Sequence, residues 1–348
     1  MENKEIIENT QEVQIENNEH EEPTKRKYMI VCAKLGLSMC IYFICRFLAG
    51  ISGTFLVKVL SGVNHNLFTF INFAILTLFV YVIPIVFTAL IFKYNVPLGT
   101  LYKKPKRLAR ALGTFPATFG FGYGIALLTL LVSYILSRIF GGETFIEQLL
   151  RPTTVEATTS ISQIIMLVLL MVVAAPLFEE YWVRGIMFDA LKPYGTGMAI
   201  IISSILFGIM HGSLYMLFYT TAYGFALGYI RYATGSLFIV TILHAIVNSV
   251  AATTLLLLSL VDITESQNKV INTIYEIYVV AVVIMIIISV IVFLAKIPAI
   301  RRYKFENPWN EIGPWKKFGI FIISVPVIIM LLLAANEITG HRFFMLFY

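Results

Sequence analysis

The sequence contains few charged residues, since Asp, Glu, Lys and Arg make up only 13% of its 348 positions. A soluble globular domain is about one-quarter charged, so this composition excludes an ordinary soluble protein. Cysteines are also scarce. The three that occur, Cys32, Cys40 and Cys45, lie in or beside one apolar run and lack the spacing of a metal site or a disulfide framework. The net charge of +6 does not indicate nucleic-acid binding, because Lys and Arg collect in the cytoplasmic loops of membrane proteins.

Apolar residues fill the chain instead, because 58% of it is hydrophobic and continuous apolar runs recur along most of its length. A run of about 18 or more apolar residues can cross the hydrocarbon layer of a bilayer as an α-helix. The sequence therefore predicts an all-α fold, a polytopic bundle of about eight or nine transmembrane helices. The nine apolar segments are residues 35–57, 68–92, 114–138, 161–191, 197–211, 214–231, 236–258, 272–295 and 318–335.

The segments between the apolar runs predict the orientation. Residues 1–27 are rich in Glu and Asn and too poor in apolar residues to form a core, which predicts a disordered tail. Lys and Arg dominate the loops at 93–111 and 296–317, whereas acidic residues dominate the loops at 139–158 and 259–271. The positive-inside rule then places the N-terminus in the cytoplasm. The short acidic tail and the lack of a recognisable organelle-targeting signal favour a multi-pass protein of a bacterial plasma membrane.

Polar side chains within the central apolar segments are the candidates for a functional site. An ionisable side chain at mid-membrane depth costs several kcal/mol and by default marks a functional position. Glu179 lies thirteen residues before Lys192, where its helix is predicted to reach the cytoplasmic surface, at a depth of about 20 Å. His211 and His244 are expected at comparable depths, so the three side chains should converge. The candidates are Glu179, Glu180, Arg184, His211, His244 and Asn248.

Helical spacing predicts which of these residues are neighbours. Residues four apart share a helix face, so Glu180 should pair with Arg184, and His244 should lie beside Asn248. Phe207 shares a face with His211 in the same way. It belongs to a group of aromatic residues that either pack in the core or wall a hydrophobic substrate channel.

Two further residues in apolar segments carry weaker predictions. A straight helix over 161–191 would be about 45 Å long, more than a bilayer needs. Pro176 removes one backbone donor within it, which predicts a bend or break and a free carbonyl just before the glutamates. Arg46, in the first apolar segment, is expected to reach an interface or to pair with another charge.

The stretches FEEYWVRG, FGIMH and HAIVN carry the patterns EExxxR, FxxxH and HxxxN, in that order, on three apolar segments. They resemble the motifs of the CAAX-protease and bacteriocin-processing family, also called the Abi family, which includes type II CAAX prenyl endopeptidases. The resemblance covers about residues 160–255. It implies a catalytic core at 159–258 between N-terminal membrane helices at 28–158 and C-terminal ones at 259–348. It also implies hydrolysis of a peptide bond in a buried, water-accessible cavity.

The resemblance implies a role for each motif residue. Glu179 is the general base that activates water, and His211 helps to hold that water. His244 and Asn248 donate hydrogen bonds to the oxyanion of the tetrahedral intermediate. The supporting residues are Glu180, Arg184 and Phe207. No cofactor is implied, and the expected partners are a peptide or lipidated protein substrate and membrane lipid, with no nucleic acid.

Two alternatives remain open from the residues. Zn²⁺ takes His and carboxylate ligands in catalytic sites, so His211, His244 and Glu179 could form a zinc-dependent metalloprotease site, although the sequence has no HExxH. A non-catalytic membrane scaffold, an immunity protein or a transporter would also keep charges at mid-membrane depth. The absence of a detectable internal repeat argues against a transporter. The substrate, whether prenylated or not, is not predicted.

Overall fold

A computed structural model describes residues 23–59, 64–104, 108–140, 161–263, 269–301 and 305–338. These residues form ten helices longer than one turn, labelled α1 to α10, and contain no strand. Two helices, α2 and α4, contain π-helical stretches in which the backbone hydrogen bonds widen to i→i−5. The helices are α1 (Lys25–Val59), α2 (His65–Thr77, π-helical Leu78–Val82, then Ile83–Phe92), α3 (Leu108–Phe140), α4 (Ile161–Val168, π-helical Leu169–Ala174, Ala175–Glu180, π-helical Tyr181–Met187, then Phe188–Leu191), α5 (Thr196–Ile209), α6 (Leu214–Thr234), α7 (Leu237–Ile263), α8 (Lys269–Arg301), α9 (Pro314–Ile322) and α10 (Val325–Ile338).

The predicted all-α membrane bundle is confirmed. Six helices, α1, α2, α3, α4, α7 and α8, are long and apolar enough to cross a membrane. Helices α9 and α10 are bent by 69° at a short break and together make a seventh candidate span. The predicted segments at 197–211 and 214–231 are helical but do not qualify, because α5 has only 14 residues and α6 is too polar. The described residues thus hold six or seven candidate spans rather than nine.

The helices pack around two hydrophobic cores. Helices α1, α2, α5, α9, α10 and the second half of α4 form one, and α3, α6, α7 and α8 form the other. Small residues allow backbones to cross closely, as is common in membrane bundles. In α3, a Cβ at Gly120 would overlap the carbonyl of Ser289 in α8. In α5, a Cβ at Gly208 would overlap the side chain of Thr221 in α6. Helices α4 and α7 contact each other between the two cores, where the motif residues lie.

Helix α4 continues through Pro176, so of the predicted bend or break the break does not occur. The helix widens instead: in the π-helical stretch before the proline, Ala175 N–H donates to Leu170 O. In that register residue 176 would donate to Met171 O, which proline cannot do. The freed carbonyl accepts a hydrogen bond from Asn248 Nδ2 of α7 at 2.8 Å. The side chain therefore replaces the missing backbone donor, and the helix continues.

In the second π-helical stretch of α4, a side chain of a neighbouring helix again donates to the carbonyl that the backbone leaves free. Phe188 N–H donates to Val183 O, five residues back, before the helix returns to the α-helical register. Such a return passes over one carbonyl, here that of Arg184. Arg231 Nε of α6 donates to Arg184 O at 3.2 Å. Arg231 is also within 3.6 Å of Asp189, so an ion pair holds its position.

Some predictions concern residues that lie partly outside the described ranges. Helix α1 begins at Lys25, within the predicted tail, and residues 1–22 lie outside the described part of the chain. Residues 141–160 and 264–268 also lie outside it, and they contain most of the acidic loop at 139–158 and part of the acidic loop at 259–271.

Candidate active site

The centre of the site is a buried group of charges on α4 and α7. Glu180 and Arg184 form the predicted i,i+4 pair, with 3.1 Å between Oε1 and Nη1, and neither side chain is exposed. The same carboxylate oxygen lies 2.8 Å from Nδ1 of His244. Glu180 Oε1 therefore receives two charge-assisted contacts, which a carboxylate needs to offset the loss of its hydration.

Glu179 lies beside this group in a different environment. The hydroxyl of Tyr81, in the π-helical stretch of α2, donates to Glu179 Oε1 at 3.2 Å. The other oxygen, Oε2, lies 3.9 Å from Nε2 of His244. His244 thus lies between the two carboxylates, with Nδ1 toward Glu180 and Nε2 toward Glu179. The adjacent glutamates are held by different partners, and only Glu180 contacts the arginine directly.

Arg184 is fixed by three kinds of contact. Besides Glu180, its guanidinium donates from Nη2 to the carbonyl of Gly224 in α6 at 3.2 Å. Its Cζ atom also lies 4.2 Å from the centre of the Phe207 ring, in a cation–π contact. A Cβ at Gly224 would approach the guanidinium to 3.0 Å, so the glycine leaves room for this contact.

Phe207 joins the histidines to the arginine. Its ring meets the rings of His211 and His244 edge to face, at centroid distances of 5.0 and 5.7 Å. It is only 1% exposed, so it packs within the site and does not line an open channel. His211 lies in the turn after α5, and its Nδ1 is 2.7 Å from Phe207 O. The FxxxH spacing therefore fixes the imidazole through both the ring and the backbone of the phenylalanine.

The structure brings Glu179, Glu180, Arg184, Phe207 and His244 into one contact network, with His211 joined to it through Phe207. Asn248 lies one turn after His244 on α7, as predicted, and its amide Nδ2 donates to Met171 O of α4. That bond uses one of the two hydrogens of Nδ2.

Four residues near the site were missed as site residues by sequence reasoning. Tyr42 and Arg46 are on α1, Tyr81 is on α2 and Glu337 is on α10, all outside the motif segments. Arg46 does pair with another charge, since its Nη2 lies 2.6 Å from Glu337 Oε1. In the sequence, only the charge of Arg46 within an apolar segment pointed to a polar contact. A tyrosine in an apolar segment gives no such indication.

Metal ligation was left open by the sequence. Within the described ranges, no three His, Cys, Asp or Glu side chains are grouped so that they could hold a metal ion. His211, His244 and Glu179 are therefore not gathered as a ligand set in this geometry.

Comparison with known proteins agrees with the motifs. The family model for type II CAAX prenyl endopeptidase Rce1-like proteins matches residues 161–250, which contain α4 to α6 and the first half of α7. Searches of curated proteins and of solved structures give no match. The predicted resemblance is confirmed by the family model. The segment that builds the site is therefore similar to Rce1-like type II CAAX prenyl endopeptidases, which supports a CAAX-type intramembrane protease.

Proposed function

We propose that the protein is an intramembrane endopeptidase in which Glu179 activates the water that attacks the peptide bond. The observation that carries the proposal is the unequal placement of the two glutamates around His244. Glu180 is fully buried, and its Oε1 contacts both Arg184 and the imidazole of His244. Glu179 Oε2 faces His244 Nε2 at 3.9 Å, so a water molecule bound beside both atoms would meet a carboxylate and an imidazole.

His244 is suited to stabilise developing charge. Its Nδ1 lies against a carboxylate, which favours N–H at that position and orients the ring, as the aspartate does in a serine-protease triad. When Nε2 carries a proton, it can donate to the oxyanion. Asn248 is the proposed second donor through the remaining hydrogen of its amide, one helical turn away. A preorganised donor of this type contributes on the order of 3 kcal/mol to the rate.

The proposed reaction balances as follows. Glu179 takes a proton from water while the water oxygen bonds to the scissile carbonyl carbon, whose π electrons move to the oxygen. His244 and Asn248 stabilise that oxyanion, and His211 helps to hold the attacking water. The intermediate collapses, the C–N bond breaks, and the proton on Glu179 passes to the leaving amine. The products are a carboxylic acid and a free amine, which ionise to a carboxylate and an ammonium group, and Glu179 is regenerated as a carboxylate.

The proposed substrate is a membrane-associated peptide, either a prenylated protein or a peptide that is secreted after processing. The proposed setting is the plasma membrane of a bacterium, with the N-terminus in the cytoplasm because the basic loops would face that side. Labelling of single cysteines placed in the loop at 93–111 from either side of sealed vesicles would test the orientation.

The proposed activity is tested by comparing peptide termini in host membranes and medium. Cells should express either the natural protein or Glu179→Gln at equal levels. The matched control is Glu276→Gln, because Glu276 is an exposed glutamate on α8, a helix that carries none of the motif residues. We expect a set of termini to disappear in Glu179→Gln and to persist in the control.

The outcome also separates the proposal from a non-catalytic role. If Glu179→Gln supports the same biological function and leaves all termini unchanged, the protein acts as a scaffold or immunity protein and the proposal is wrong.

A further inference from the structure

We propose that Tyr42, Arg46 and Glu337 position His211 for the reaction, although all three lie outside the segment that resembles the endopeptidases. We call these three residues the turn clamp. The inference rests on the proposed function. It assigns a role to α1 and α10, which carry none of the motifs.

Two residues of the turn clamp, Tyr42 and Arg46, contact one atom, the carbonyl oxygen of Met210. Tyr42 Oη donates to it at 2.8 Å, and Arg46 Nη1 donates to it at 2.8 Å. Arg46 Nη1 also lies 3.2 Å from the Tyr42 hydroxyl, so the two donors are linked to each other. Two strong donors on one carbonyl hold its direction as well as its distance.

Met210 directly precedes His211, so a contact to its carbonyl affects the orientation of His211. The carbonyl of Met210 and the amide nitrogen of His211 belong to one planar peptide unit. Holding the oxygen therefore fixes the plane from which the His211 side chain departs. The imidazole is then held a second time, since its Nδ1 contacts Phe207 O at 2.7 Å. Backbone and ring are both restrained, which leaves Nε2 as the ring nitrogen for the water.

Glu337 holds the arginine in place. Its Oε1 lies 2.6 Å from Arg46 Nη2, so the guanidinium uses one edge for the carboxylate and another atom for the Met210 carbonyl. The glutamate side chain is 12% exposed and the arginine 31%, so the pair is largely shielded from solvent. An unpaired arginine in this apolar region would turn toward a polar interface and leave the carbonyl.

The turn is shaped to admit this carboxylate. Gly212 has φ of +65°, in the left-handed region that glycine adopts without strain. A Cβ there would overlap Glu337 Oε1 and would also lie 3.1 Å from Arg46 Nη2. The glycine after His211 thus serves both the turn and the approach of α10.

A second tyrosine of α1, Tyr28, makes a similar hydrogen bond between helices that does not involve the His211 turn. It therefore serves as a matched control for Tyr42. Tyr28 and Tyr42 are both on α1 and both buried, and each hydroxyl donates to one backbone carbonyl of a distant segment. The Tyr28 bond is to Lys317 O in α9, at 3.0 Å, whereas the Tyr42 bond is to the His211 turn. Phenylalanine at either position removes one hydroxyl and keeps the ring.

The test measures kcat, KM and thermal unfolding of purified Tyr42→Phe and Tyr28→Phe in a membrane mimetic, with the peptide substrate found by the comparison of termini. We expect similar small losses of thermal stability in both variants. Only Tyr42→Phe should lower kcat, on the order of tenfold, with KM unchanged, because a small misplacement of a catalytic group affects the chemical step. Glu337→Gln should act in the same direction, and Glu276→Gln should have no effect.

A second measurement does not depend on activity. The ring signals of isotopically labelled histidine are recorded by NMR, and the His211 signal is assigned by its loss in His211→Gln. We expect Tyr42→Phe and Glu337→Gln to shift the His211 signal, and Tyr28→Phe to leave it unchanged.

The outcomes separate this inference from the proposed function. Equal kcat for Tyr42→Phe and Tyr28→Phe in an active enzyme, or an unmoved His211 signal, overturns the turn clamp and leaves the protease intact. A natural protein that cleaves nothing overturns the proposed function, while the NMR comparison still decides whether the turn clamp holds His211.

Discussion

Glu180→Gln should destabilise the protein strongly, whereas Glu179→Gln should leave the fold intact. Glu180 is not exposed, and its Oε1 contacts Arg184 at 3.1 Å and His244 at 2.8 Å. Neutralising it leaves the buried guanidinium of Arg184 without its direct counter-charge. Breaking a buried ion pair from one side costs about 3–5 kcal/mol of the free energy of unfolding. Glutamine keeps an oxygen acceptor, so we expect the lower limit, about 3 kcal/mol.

Glu179 has weaker ties to the fold. Its contacts are the Tyr81 hydroxyl at 3.2 Å and the more distant His244 Nε2 at 3.9 Å. Glutamine preserves an acceptor for the tyrosine, so the loss should stay within about 1 kcal/mol, the contribution of one hydrogen bond. The two variants of adjacent residues should therefore separate stability from activity. Glu179→Gln is folded and inactive, and Glu180→Gln is destabilised.

The assay is unfolding by heat or denaturant in a membrane mimetic, followed by secondary structure and compared with the natural protein. A double variant, Glu180→Leu with Arg184→Met, tests the cause. Replacing both members of a buried pair by apolar residues of similar volume is often near neutral, so part of the stability should return. If Glu180→Gln unfolds at the same point as the natural protein, the buried pair does not hold the site. If Glu179→Gln loses as much stability as Glu180→Gln, the two glutamates do not have separate roles.

Three further predictions concern the helices and the reaction. Asn248→Leu should cost about 1–3 kcal/mol of the free energy of unfolding, because it leaves the Met171 carbonyl without its donor. Adding Pro176→Ala should recover part of that loss, because alanine restores a backbone N–H at position 176. A further loss of stability in the double variant would contradict the claim that the Asn248 amide replaces this backbone donor. Gly120→Val should cost about 1–3 kcal/mol of the free energy of unfolding, because the valine side chain would overlap the Ser289 carbonyl where α3 crosses α8. If the variant unfolds at the same midpoint as the natural protein, this crossing tolerates a side chain. Stringent removal of metal should leave proteolysis unchanged, whereas loss of activity together with stoichiometric zinc in the purified protein would favour the metalloprotease alternative.

The sequence was informative where a contact depends on helical spacing alone. The EExxxR pattern predicted the Glu180–Arg184 pair, because residues four apart on one helix are neighbours whatever the tertiary structure. The apolar runs predicted the bundle for a similar reason, since span length follows from the thickness of a bilayer. Hydropathy located the short segment at 197–211 close to the 14-residue helix Thr196–Ile209, but counting it as a span was wrong.

Contacts between different helices could not be predicted from helical spacing. The position of His244 between the two carboxylates depends on the rotation of α7 against α4, which helical spacing does not determine. Tyr81 was missed for the same reason, because a tyrosine in an apolar segment has no sequence signal until its neighbour is known. Depth along the membrane normal could be estimated from the sequence, but direction around each helix axis could not.

Helix α4 shows why a proline beside the site leads to widening and not to a break. A broken helix would leave several buried carbonyls and amides unpaired, each at a cost of several kcal/mol in an apolar environment. A π-helical turn concentrates the defect into one carbonyl, and a single side chain can then satisfy it. Asn248 of α7 does this for Met171, and Arg231 of α6 does it for Arg184. The α-helical stretch Ala175–Glu180, which ends in both glutamates, therefore lies between two points where α4 is tied to its neighbours. Asn248 thus has a structural role in α4 that is independent of any catalytic role. If a variant of Asn248 loses activity, the same variant has to be measured with Pro176→Ala added before the loss is assigned to the oxyanion.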